Sequence, residues 1–405
     1  MLIDFTVKNY RSIKDEQHLS MVSTKQKEHI DTHTFEVLQP TSTRLLKTAA
    51  IYGANAAGKS NFIKALRAMQ EIVIFSTSKY QRGDLLPIKP FLFDSTSLHE
   101  ATEFEVNFIS NGIRYQYGFS ATQERIVEEW LIAYPKGRPQ NWFARVLNTD
   151  TNEPTYDWQF GDKLTGQKQL WQESTRDNAL FLSTAVNLNS EQLNPVFDWF
   201  DQILHITGVG GWSPQFTIEL CKRDKHKEDI LRFLRTADMD IEDIEIEKNI
   251  FFGNKEIVKM WHTDEQGNKV ALNLDEESDG TQKLFAVIGP WLDSLEKGHV
   301  LLIDELHDNF HPLMVKFLVE LFHNSTTNKS NAQLIFTTHE TSILSQDVFR
   351  RDQICFCEKR NKATILYSLV EFKARKGVTD LEKAYLSGRY GALPFFKDIT
   401  MAMGN

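Results

Sequence analysis

The stretch "IYGANAAGKSNF", Ile51 to Phe62, decides how this chain is read. A short apolar strand, "LKTAAIYG", feeds a loop of small residues. "SNFIKALRAMQEIVIF" follows it, with Phe62, Ile63, Leu66, Met69 and Val73 near helical spacing. "GANAAGKS", Gly53 to Ser60, fits G-x-x-x-x-G-K-S. Small side chains let backbone N–H groups close on phosphate oxygens, and the helix that starts there aims its positive end at them. The expected nucleotide-binding residues are therefore Gly53, Asn55, Ala56, Ala57, Gly58, Lys59, Ser60 and Asn61. Lys59 would reach the β- and γ-phosphates and Ser60 would hold Mg²⁺, which makes ATP and Mg²⁺ the expected cofactors.

Magnesium beside such a loop needs a carboxylate at the end of a buried strand. "HVLLIDE" supplies four apolar residues, Val300 to Ile303, then Asp304 and Glu305. Asp304 is placed to hold the metal through water, and Glu305 to polarise the attacking water. The same pair could instead cap a following helix. Ahead of this strand, "DEESDGTQKLFAVIG" reads as a polar turn opening a helix. Ser278 and Gly280 stand at that helix's N-terminus, which is either an anion site or an ordinary cap. "LIFTTHE" ends a further apolar strand in His339.

Composition bounds the rest. The chain has 405 residues, 41% hydrophobic and 25% charged, with a formal net charge of -9. That is the mix of a soluble globular protein, and any nucleic-acid contact would have to be local rather than driven by bulk charge. No run of about 18 apolar residues suggests a membrane span, the start "MLIDFTVKNYRSIKDE" does not read as a secretory signal, and the expected location is cytoplasmic. Three cysteines argue for a reducing compartment, and the C-x-C of "ICFCEK" reads as two core thiols on one strand face.

Three regions are expected. Residues 1–120 read as strands with one helix and carry the phosphate loop, including a hairpin about "SNG". Residues 121–270 are an inserted mixed region. In it "ERIVEEWLIAYP" and "QNWFARVLNT" read as strands, "LNPVFDWFDQILHI" and "KEDILRFLRTAD" as helices, and "NIFFGNKEIVKMWHTDEQGNKVALNL" as strands with turns at "GN" and "EQGN". Residues 271–405 alternate helix and strand, as parallel α/β units do. No sustained heptads predict a long coiled-coil arm.

Taken in order, the pieces resemble the SMC/RecF/OLD-type branch of ABC ATPases. More narrowly, the chain is similar to the stand-alone bacterial ATP-binding proteins of the RloA/AbiL/AriA kind, linked to phage defence. The resemblance lies in "FTVKNYRSIKD", "YGANAAGKSNFIKAL", "PFLFD", "NGIRYQYGF", "ESDGTQKLF", "VLLIDELHDNFHP", "IFTTHE" and "YLSGRYGALPFF". It implies an α/β ABC-ATPase head: a P-loop NTPase with a mixed sheet and an N-terminal antiparallel part. It also implies that Arg11 and Ser12 approach the phosphates, that His339 faces the γ-phosphate, and that Ser278 and Gly280 press on the γ-phosphate held by a second copy. The expected assembly is a homodimer closed over ATP, with higher homo-oligomers open. Asp279 stands where many relatives have a second glycine, and His307 where an acidic residue is more familiar. No glutamine-loop residue stands out beyond Gln81.

The expected function is a nucleotide-gated ATPase sensor that controls a separate effector, a nuclease or toxin encoded nearby. The alternative is a RecF-like repair or recombination ATPase that binds DNA. The 245 residues between Lys59 and Asp304 (304 − 59) are longer than a compact transporter motor suggests. "YLSGRYGALP" is left over: Gly388 and Gly391 would permit tight turns and Pro394 would stop a helix. Arg389 could meet phosphate, DNA or a partner carboxylate. A structural or partner-docking role is preferred to direct catalysis.

Overall fold

Successive residues of the strand Thr48–Tyr52 enter two different hydrophobic cores. Ala49 and Ile51 face one, Ala50 and Tyr52 the other. A strand buried on both faces reads as one continuous apolar run. The same division holds for Val300–Ile303, with Val300 and Leu302 on one side and Leu301 and Ile303 on the other.

The computed structural model describes residues 1–37, 43–150, 154–207, 213–249, 255–373 and 380–394. The expected turn at Gly253-Asn254 lies outside the described residues. In chain order the strands are β1 (Leu2–Lys8), β2 (Gln17–Ser20), β3 (Thr34–Val37), β4 (Thr43–Leu46), β5 (Thr48–Tyr52), β6 (Thr102–Ser110), β7 (Ile113–Ala121), β8 (Ile126–Tyr134), β9 (Gln140–Asn148), β10 (Thr155–Phe160), β11 (Leu204–Ile206), β12 (Asp243–Asn249), β13 (Lys255–Thr263), β14 (Lys269–Asn273), β15 (Val300–Ile303), β16 (Gln333–Thr338), β17 (Ile354–Arg360) and β18 (Ala363–Ser368).

Six strands, ordered β11-β15-β16-β5-β17-β18, make the central sheet. All its pairings are parallel except the β17–β18 hairpin. Seven strands, ordered β10-β9-β8-β7-β6-β1-β2, make an antiparallel sheet. The "SNG" hairpin is its β6–β7 turn. This sheet runs from Leu2 to Phe160, so it crosses the boundary placed at residue 120. The loop helix Lys59–Phe75 lies between the two sheets, with Phe62, Ile63, Leu66, Met69, Ile72 and Val73 buried, and the Phe5 ring packs edge-on against Phe62 at 5.3 Å.

The helices Asp279–Lys297 and Pro312–His323 cover the opposite face of the central sheet. The longest described helix has 19 residues, and none forms a coiled-coil arm. None is long and apolar enough to cross a membrane. One expectation is corrected: "LNPVFDWFDQILHI" is not one helix. It is helical at Asn194–Asp198, widens to a π-turn at Trp199–Ile203, and ends in β11, which takes the edge place beside β15. An open backbone edge captured the segment's last residues despite their helical spacing. Cys355 and Cys357 are both buried, as core thiols should be.

Two polar joints tie the first strands of the chain to the core. Gln333 on β16 is fully buried; its Oε1 accepts the Leu2 N–H at 2.6 Å and its Nε2 donates to the Leu2 and Leu46 carbonyls. The second joint is a histidine stack. His33, at the foot of β3, lies face to face on His323 at 3.6 Å, with His29 beside it at 4.6 Å. His323 Nε2 is 2.9 Å from the Thr48 hydroxyl at the start of β5, and His33 Nε2 is 3.0 Å from the Val348 carbonyl.

Burial lowers the pKa of His33 to about 4 and that of His323 well below 6.5, and the nearby cations add to this. Both rings are neutral when folded and bind protons more readily when unfolded. Their contribution to stability is full above pH 6.5 and is lost as pH falls toward 4. Urea unfolding across that range should show a falling midpoint, and His323→Gln should flatten the fall.

Candidate nucleotide site

β5 ends at Tyr52, β15 at Ile303 and β16 at Thr338. These strands are adjacent and parallel, so their carboxyl ends share one edge of the sheet, the usual place for a ligand in such a fold. A cleft of about 490 Å³ opens there, lined by Ser12, Asn55, Ala56, Ala57, Gly58, Lys59, Ser60, Asn61, Glu305, His339 and Lys359.

The loop is held from behind. Gly58 has a φ of 110°, and a Cβ there would lie 1.9 Å from Thr364 Oγ1, so only glycine fits. A hydroxyl relay crosses this contact. Asn61 Nδ2 donates to Ser12 Oγ at 2.7 Å, Ser12 Oγ is 2.7 Å from Thr364 Oγ1, and Thr364 Oγ1 donates to the Ala57 carbonyl at 2.9 Å. The Thr364 N–H also donates to the Ser12 carbonyl at 2.7 Å. Gly53 faces away from the cleft, since its Cα approaches the Cys357 carbonyl too closely for any side chain.

Lys59 is buried, and its Nζ donates to the carbonyls of Gly53 at 2.7 Å and Ala54 at 3.1 Å. An ammonium has three donors, so one remains for a ligand. Burial pulls its pKa below the ordinary lysine value, while Cys357, Glu305 and Asp304 oppose that shift.

Ser60 Oγ donates to Asp304 Oδ1 at 3.0 Å, and Thr337 Oγ1 donates to the same oxygen at 2.6 Å. The Asp304 N–H is taken by the Thr207 hydroxyl at 3.1 Å. A hydroxyl beside a carboxylate is the hard-oxygen donor set that Mg²⁺ shares with water, so these residues fit that ion. Glu305 follows with a φ of 54°, a left-handed conformation uncommon outside glycine. Its N–H donates to Thr337 Oγ1 at 2.8 Å, and the residue is exposed at the cleft.

His339 comes directly after β16, and its ring meets His307 edge-on at 3.8 Å. His307 Nδ1 is 3.0 Å from the Thr338 hydroxyl. Burial, then the neighbouring His339, lowers the His307 pKa to about 4. The residue standing where an acid was expected is thus an uncharged ring at neutral pH.

The remaining expected residues sit elsewhere. Arg11 has a φ of 51° and its Nε donates to the Tyr10 hydroxyl at 3.2 Å; it does not line the cleft, although Ser12 does. Ser278 caps the helix Asp279–Lys297, its Oγ accepting the Thr281 N–H at 3.1 Å. Neither Ser278 nor Gly280 lines the cleft of its own chain, and Ser278 is exposed. Gln81 lies in a turn bonded to Asp84, also outside the cleft. Conversely, Lys359, Thr207, Thr337 and Thr364 join the site without having been singled out. Thr337 had a signal, two residues before His339 in "TTHE". Thr207 and Thr364 had none, because only the fold brings them near.

A family model described as "AAA domain, putative AbiEii toxin, Type IV TA system" matches residues 49–345. Two solved structures are similar at low identity. One is an SMC head bound to the C-terminal winged-helix domain of ScpA: 13% identity, 91% of this chain, 97% of that chain, TM-score 0.41. The other is an SMC head domain with an extended coiled coil bound to the C-terminal domain of ScpA, derived from Pyrococcus furiosus: 12% identity, 96% of this chain, 98% of that chain, TM-score 0.35. No curated protein matches the chain.

The relay through Thr364 predicts a graded result. Thr364→Val keeps the shape and removes the hydroxyl, a loss of about 1 kcal/mol or roughly fivefold in nucleotide affinity. Thr364→Ser should restore most of it. Titration with a fluorescent ATP analogue checks both.

Proposed function

The chain belongs to this AAA-domain family, and on that premise we propose that it hydrolyses ATP at the cleft and acts as a switch completed by a second copy. One observation carries the reading: Lys59, Ser60, Glu305 and His339 converge on one cleft, and Asp304 is bonded to Ser60 beneath it. The loop N–H groups and the start of the helix Lys59–Phe75 bind the phosphates. Ser60 and Asp304 hold Mg²⁺, which when bound neutralises phosphate charge. Glu305 orients the attacking water and accepts its proton, and His339 bonds the γ-phosphate.

Ser278 and Gly280 act in trans. Their helix start is exposed and absent from the cleft of its own chain, which supports a role on a partner copy's γ-phosphate. ATP then favours the paired state because it is bound by both copies there and by one alone otherwise. The switch controls a separate effector, a nuclease or toxin, in the cytoplasm of a bacterium under phage attack. The RloA/AbiL/AriA resemblance supports this, as does a family description that names a toxin system.

Glu305→Gln should lower kcat by about 10²- to 10⁴-fold while leaving ATP binding intact and lengthening the life of the dimer. Equal turnover in wild type and variant would remove Glu305 from the chemistry. Ser278→Arg should keep binding by the single copy and lose ATP-dependent self-association in size-exclusion chromatography. Duplex DNA binding that needs ATP and weakens steeply with salt would instead favour the RecF-like reading.

A further inference from the structure

The motif "YLSGRYGALP", Tyr385 to Pro394, lies outside the matched family region and has no part in the chemistry described above. It is nevertheless bound to the phosphate loop. The Ala54 N–H, one residue into the loop, donates to the Ala392 carbonyl at 3.0 Å. The carbonyl of the same Ala54 accepts Lys59 Nζ at 3.1 Å and the Ala57 N–H at 3.2 Å. Ala54 is thus tied on one side to the C-terminal turn and on the other to the lysine that serves the phosphates.

The turn is itself fixed in place. Tyr385 Oη donates to the same Ala392 carbonyl at 3.0 Å. The Ala392 N–H donates to Glu358 Oε2 at 3.0 Å, and the Tyr367 hydroxyl donates to that oxygen at 3.1 Å. Tyr385 and Tyr390 both stack on Phe356 of β17, at 5.3 and 5.5 Å. Ala392 has a φ of 57°, an unfavourable conformation for alanine that the surrounding bonds hold. Gly391 has a φ of 68°, and a Cβ on it would lie 2.7 Å from Glu358 Oε2 and 2.8 Å from the Tyr367 hydroxyl.

We infer that the Tyr385–Ala392 turn is a latch that pre-shapes the phosphate loop through the Ala392–Ala54 hydrogen bond, making Tyr385, Gly391 and Glu358 positioning residues for nucleotide binding. The inference rests on the ATPase reading for its consequence, and on the hydrogen bonds alone for its geometry. With the latch intact, the loop does not lose conformational freedom when phosphate arrives, so affinity is higher. None of these side chains lines the cleft, so the effect reaches the nucleotide only through Ala54 and Lys59.

Two variants and two measurements test it. Tyr385→Phe keeps the stacked ring and removes one bond to Ala392. Gly391→Ala drives the Glu358 carboxylate off the Ala392 N–H. Amide hydrogen exchange on nucleotide-free protein should show faster exchange at Ala54–Ser60 in both, more so in Gly391→Ala. Nucleotide affinity should fall about fivefold in Tyr385→Phe and tenfold or more in Gly391→Ala, as a rise in Kd and KM rather than a fall in kcat. Should Gly391→Ala fail to fold, Tyr385→Phe decides. Unchanged loop exchange in the variants overturns the latch. A loss confined to kcat at unchanged Kd overturns it as well. Wild-type protein that binds no ATP would sink the ATPase reading instead, and the exchange data would still judge the latch.

Discussion

The Asp304 carboxylate, held between the hydroxyls of Ser60 and Thr337, is the contact on which the site depends. It joins the loop helix to the ends of two other strands across a sequence separation of 244 residues. Only a parallel sheet makes this short bridge available, because adjacent parallel strands deliver their carboxyl ends to one edge. β5, β15 and β16 do this in register, and each contributes one piece: the phosphate loop, the acidic pair and the histidine.

The rest of the molecule braces this edge. From the N-terminal side, the antiparallel sheet and the loop helix share one core, and the Ser12 turn reaches the loop through Thr364. From the C-terminal side, β17 lies against Gly53, and the Tyr385–Pro394 turn bonds Ala54. The positive φ of Gly58 is one that glycine adopts readily, and Thr364 fills the space a side chain there would need. The buried Gln333 bonds Leu2 and Leu46 to β16, and the histidine stack joins the start of β3 to the helix Pro312–His323 and to β5.

The phosphate loop, Ser60, Asp304 and Glu305 meet at one edge of the central sheet. The helix start at Ser278 is turned to solvent elsewhere on the same chain. On the proposed reading, a centre divided between two copies would make turnover depend on association, as a switch requires. His307, packed edge-on against His339, is an uncharged ring at neutral pH because burial lowers its pKa to about 4.

How much was legible in the chain follows from the range of each interaction. The phosphate loop, the acidic strand end and the closing histidine are local patterns, because strand, turn and helix signals lie within about ten residues of each chemical group. The double-faced strands were legible as apolar runs, and the "SNG" hairpin as alternation about a turn. Tertiary structure alone decided the remainder. Leu204–Ile206 carries a helical pattern, yet the unpaired edge of β15 made it a strand. Thr207, Thr364 and Ala392 carry no local signal, since their partners lie up to several hundred residues away. Their roles exist only where the fold closes a backbone donor or acceptor against them, as burial of polar groups requires.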